Sequence, residues 1–138
     1  MLQLPLVPAS LAWLVMLAVA IANGAAREAW LTPRLGDTLA RALSTLSGCV
    51  LLATVALCFV LLRGRTTTPE AMWQTGMYWV VLVLAFEFLF GHYVAGHSWQ
   101  HLLADYNLLQ GRIWILIPLT VLLAPWAWLR LLQRTLWT

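Results

Sequence analysis

A chain of 138 residues, 62% hydrophobic and 9% charged, cannot bury its apolar surface as a water-soluble domain, which carries about 25% charged residues. Its net charge of +3 comes from eight arginines, with no lysine, set against five acids. These form no basic stripe able to neutralise phosphates, which excludes a nucleic-acid partner. Length and hydropathy together predict one integral membrane domain over residues 1–138, with the lipid bilayer as its solvent.

Charge-free runs cover residues 1–26, 42–62, 71–86 and 113–129, and a spanning helix needs about 20 apolar residues. Extended to their flanking turns, they predict transmembrane helices near 8–31, 38–62, 71–95 and 112–134, an all-α four-helix bundle. No Lys or Arg precedes Arg27, so the first run does not read as a cleaved signal peptide and is expected to stay attached. Thr32-Pro33 and Gly36-Asp37 predict a break after the first helix, with Asp37 or Thr38 capping the second. Cys49 and Cys58 are the only cysteines, nine residues apart in the second helix. That spacing is about 13.5 Å of rise, beyond the ~7 Å that a disulfide tolerates between Cα atoms. They read as small buried hydrophobes. A polar turn from Arg63 to Glu70 leads into the third helix, and Pro118 and Pro125 predict kinks in the fourth.

The segment from His97 to Gln110 is too polar to span and too apolar for a plain loop. His97, His101 and Asp105 recur every four residues, while Leu102, Leu103, Tyr106 and Leu109 mark another side. The pattern predicts a short interfacial amphipathic helix between the third and fourth spans. Trp30, Trp73, Trp99, Trp114 and Trp137 fall near predicted helix ends, as in the aromatic belts of membrane proteins.

The ionisable residues are not spread evenly. All but Arg63, Arg65, Glu70, Arg130 and Arg134 fall at one predicted end of the bundle. There Asn23, Arg27 and Glu28 close the first helix, and Arg41, Ser44 and Ser47 open the second. Glu87 and His92 close the third, and Arg112 opens the fourth. Glu87, among Phe86, Phe88, Leu89 and Phe90, lies roughly 12 Å inside the helix end. A carboxylate at that depth is expected to face the bundle and find a partner, with Arg27, Arg41 and Arg112 as candidates. Two readings follow: a pocket lined by Asn23, Arg27, Glu28, Arg41, Glu87, His92 and Arg112 that takes an anionic or lipid-like ligand, or polar groups that only knit the helices together.

His97, His101 and Asp105 also make a candidate divalent-metal set, because i and i+4 histidines can share one ion. It is not an HExxH motif, and interfacial histidines bonded to water and headgroups are the simpler reading. A b-type haem needs axial histidines from facing helices, which this placement argues against. There is no nucleophile elbow, Walker loop or dinucleotide-binding glycine motif, so no catalytic residue or enzyme class is assigned. Further readings are a dimeric small transporter, against which the off-centre cluster counts, and an accessory subunit of a larger membrane complex.

The run from Glu87 through FGHYVAGHSWQHLLADYN to Gly111-Arg112, with Asn23-Gly24 and Arg27-Glu28-Ala29 upstream, resembles an uncharacterised family of small four-helix bacterial inner-membrane proteins. The resemblance implies the topology and a bacterial cytoplasmic membrane; it implies no activity. The arginine count is even between the two ends. The acids beside the arginines of the polar end tilt the expectation toward cytoplasmic termini.

Overall fold

The computed structural model describes residues 3–104 and 113–137, and those residues form helices and connecting turns. The elements are α1 (Leu6–Ala26), a π-helical turn (Arg27–Leu31), α2 (Thr32–Leu35), α3 (Asp37–Arg63), a 3-10 turn (Gly64–Thr66), α4 (Pro69–Tyr93), α5 (Trp99–Ala104) and α6 (Leu116–Thr135). Among the described residues four helical stretches are long and apolar enough to cross a membrane: Leu6–Leu35, Asp37–Thr66, Pro69–Tyr93 and Leu116–Thr135.

Around the bundle the order is α1, α3, α6, α4, with α6 packed extensively on both α3 and α4 and α1 packed mainly on α3. The centre is filled by Trp79, Met72, Val60, Val121 and Leu129, all fully buried. Phe59 meets Trp79 edge-on at 5.2 Å. Facing outward, Val7, Val50, Leu62 and Val81 are between 60% and 83% exposed, so much of the perimeter is apolar.

Two tryptophans do structural work that helical periodicity does not announce. The buried Trp79 indole donates to the Ala9 carbonyl at 2.8 Å, joining α4 to α1. The Trp128 indole donates to the Ala53 carbonyl at 2.9 Å, joining α6 to α3. Each ring fills core volume while its N–H finds a second use for a helix carbonyl. Ser10 and Tyr78 share a 2.7 Å hydrogen bond beside the first clamp. Glycine sets the closest approach: a Cβ on Gly76 would lie 2.2 Å from the Leu122 carbonyl oxygen. Backbone meets backbone here, as small residues permit at membrane helix contacts.

Several local expectations need correction. Thr32-Pro33 does not end the first span. A proline can neither donate to the carbonyl four residues back nor avoid crowding it. Here that carbonyl belongs to Ala29, inside the π-helical turn, whose wider winding lets the helix run on to Leu35. Gly36, at φ +83°, makes the actual break. Neither Asp37 nor Thr38 caps α3: Gly36 is the cap residue, and Asp37 pairs with Arg41 across one turn. Thr68 does cap α4, its hydroxyl accepting from the Ala71 N–H at 3.1 Å with Pro69 in the first turn. Pro118 falls in the first turn of α6, where no N–H is needed; only Pro125 is inside that helix. Cys49 and Cys58 are free thiols along α3. The second is exposed rather than buried.

Gly76→Ala is expected to lower the thermal midpoint in mild detergent by several degrees, because a rigid carbonyl occupies the space of the new methyl group. Gly24→Ala makes the control: its Cβ would meet nothing within 4 Å, so its midpoint should hold or rise slightly. Equal midpoints for the two variants, read by circular dichroism, would contradict the close α4–α6 approach.

Candidate functional site

The end of α1 is fixed by one amide. Asn23 Nδ2 donates to the Ser44 carbonyl at 2.8 Å and to Ser44 Oγ at 3.1 Å, while Asn23 Oδ1 accepts from Ser47 Oγ at 3.2 Å. Gly48 provides the room: a Cβ there would sit 3.1 Å from Asn23 Nδ2. Thus α1 is clasped to α4 near its start, at Ala9 and Ser10, and to α3 near its end, at Asn23. Between those clasps α1 and α4 touch only lightly, chiefly through Trp13 against Phe86 at 6.2 Å.

Two cavities open at this end. The larger, about 600 Å³, is lined by Arg27, Asp37, Arg41, Glu87, His97 and His101 among the apolar walls Phe86, Phe88, Phe90, Leu102 and Trp114. The smaller, about 220 Å³, is an apolar crevice between α1 and α4 that Trp13, Met16, Leu17, Ile21, Val83 and Ile117 help to line. Arg27, Phe86, Glu87 and Trp114 are walls of both.

Within the larger cavity Arg27 is oriented by its neighbour: Nε and Nη2 both donate to Glu28 Oε1, at 3.2 and 3.0 Å. Arg41 is oriented from one turn back by a 3.0 Å bond from Nε to Asp37 Oδ2. These are partly exposed pairs, and such pairs contribute little to stability. Their effect is to hold two guanidinium groups from different helices at the rim of one space.

The connection after α4 folds back over the site. Gly96, at φ +76°, turns the chain, and Leu102 of α5 rests on Gly91, where a Cβ would approach it to 2.7 Å. Ser98 starts α5 by accepting from the His101 N–H at 3.1 Å. His92 Nδ1 donates to the His97 carbonyl at 2.9 Å, and its ring stacks on Trp99 at 3.8 Å.

Of the residues singled out in the sequence, the structure gathers Arg27, Arg41, Glu87, His97 and His101 around the larger cavity, and Asn23 beside the smaller one. Two are placed elsewhere. Glu28 points away, its side chain 61% exposed and paired with Arg27; His92 pins the turn rather than lining either cavity. Asp105 and Arg112 lie outside the described residues, as do Tyr106 and Leu109 of the expected amphipathic face. His97 precedes α5 instead of sharing a helical stripe with His101, yet their rings come to 4.6 Å. Among the described residues no group of three or more His, Cys, Asp and Glu side chains is arranged to hold a metal. Sequence reasoning missed Trp13, Phe86, Thr45 and Trp114 as walls: Trp114 reads as a belt residue and the others as helix packing.

Asn23→Ala is expected to lower stability by roughly 0.6–1.7 kcal/mol, the average and the largest value found for hydrogen bonds between membrane helices. Ser44→Ala should then add little in the Asn23→Ala background. Full additivity of the two in a double-mutant cycle, measured by detergent unfolding, would show that the side-chain bond between Asn23 and Ser44 is not formed.

Comparison of the chain with protein families, with curated proteins and with solved structures gives no match.

Proposed function

We propose that the chain is a multi-pass membrane protein, with the bundle embedded in the bacterial cytoplasmic membrane and its termini inside, that binds a small ligand by an anionic group at its polar end. Insertion is supported by the outward apolar perimeter and by four helices of sufficient length and hydropathy. An apolar surface of that extent has no stable place in water.

The observation that carries the binding reading is the convergence of Arg27 and Arg41, from different helices, on one cavity of about 600 Å³ that also holds the His97–His101 pair. A guanidinium offers five donors in a fixed fork suited to phosphate or carboxylate oxygens. Glu28 engages the Nε and Nη2 of Arg27, which leaves its Nη1 to an incoming group. Charge-assisted bonds from a guanidinium are shorter and stronger than neutral ones.

The test uses protein in nanodiscs of a neutral lipid and ethyl phosphate as a headgroup probe. Thermal stabilisation by the probe should saturate, and the pair Arg27→Gln and Arg41→Gln should weaken apparent affinity at least about tenfold, the loss of one charge-assisted bond. Arg34→Gln, an exposed position on α2, should change nothing. An unchanged affinity in the double variant, or stabilisation matched by chloride at equal ionic strength, would overturn the reading.

A further inference from the structure

The smaller cavity is chemically unlike the larger one. Away from Arg27 and Glu87, its polar walls are already engaged: Asn23 gives its amide to Ser44 and receives Ser47. A ligand entering it finds hydrocarbon and aromatic surface. Arg27 stands where the two spaces share a wall, with Phe86, Glu87 and Trp114. Ile21 lines the crevice while 60% exposed on the outer face of α1, which puts an opening on the side of the bundle rather than its end. At Gly24, another wall, an added Cβ would meet nothing within 4 Å.

Resting on the reading of the larger cavity as an anion site, we infer that the ligand is a single-chain anionic amphiphile. Its headgroup lies by Arg27 and Arg41, and its hydrocarbon chain enters the α1–α4 crevice sideways from the bilayer. Charge complementarity places the head. The apolar crevice, which adjoins the polar space and shares four of its lining residues, places the tail. At about 220 Å³ the crevice is smaller than the 300–1,000 Å³ common for drug-sized ligands. It accommodates part of one chain and not two. Lateral entry also avoids carrying an alkyl chain through water, which would forgo about 0.8 kcal/mol per methylene.

The experiment compares ethyl phosphate with dodecyl phosphate on the intact protein in neutral-lipid nanodiscs, in the native chain and in Gly24→Leu. Partition into the bilayer favours dodecyl phosphate equally in both proteins, so their ratio isolates the crevice. Gly24→Leu should weaken dodecyl phosphate at least tenfold and leave ethyl phosphate unchanged. Ala20→Phe, which reaches the crevice from another turn, should repeat that pattern. A dodecyl phosphate carrying a terminal diazirine should label the crevice walls within residues 13–24, 44–52, 83–87 and 114–121, and the label should be lost in both variants. Undiminished dodecyl phosphate binding in both variants, or labelling outside those segments, would overturn the crevice proposal while leaving the anion site standing. So would a two-chain phosphatidic acid that binds as tightly as its single-chain counterpart. Failure of ethyl and dodecyl phosphate alike to bind the native chain would overturn the anion site itself.

Discussion

The geometry at the polar end depends on a single side-chain amide between two helices. Asn23 holds the top of α1 against α3 through Ser44 and Ser47, while the Trp79 indole holds its lower half against α4. A straight helix fastened to two different neighbours at two levels must cross the gap between them. The void between α1 and α4 follows from that crossing, and so does the position of Arg27 one turn above the amide. In an apolar environment an amide without partners is costly, so the contact that opens the gap is also one the chain cannot easily give up.

Charge placement and packing reinforce one another. The arginines that line the larger cavity each pair with an acid close in sequence, Glu28 or Asp37. Local pairing of this kind survives small movements of one helix relative to another. The pairs supply little stability on their own, and the bundle is held by α6 wedged between α3 and α4 and by the indole bonds. The division leaves the polar end able to change its contents without unfastening the core.

Much of the architecture was legible in the sequence because charge-free runs of about 20 residues have few alternatives. The gathering of Arg27, Arg41, Glu87, His97 and His101 was also legible, since even-numbered crossings bring alternate helix ends to one side. What was not legible depends on rotation about helix axes. Glu28 and Arg27 were both expected to face inward, yet only Arg27 does so. His92 was counted with the pocket on depth alone, whereas the Gly96 turn and Trp99 draw it into the connection. Trp79 and Trp128 read as undistinguished apolar residues because a sequence does not show which carbonyl an indole will reach. The helix expected to stop at Pro33 went on because a π-helical turn is nearly invisible in composition.

That turn alters what adjacent residues can do. On an ordinary α-helix neighbours project about 100° apart and seldom meet. Over Arg27–Leu31 the winding is looser, so successive side chains fan out through a smaller angle, and Arg27 and Glu28 close to 3.0 Å. The extra residue also shifts the phase of everything that follows, so Trp30 and Pro33 do not continue the stripe set by Met16 and Asn23. Trimming one residue from this stretch would leave a perfectly good helix, but it would swing α2 around the bundle.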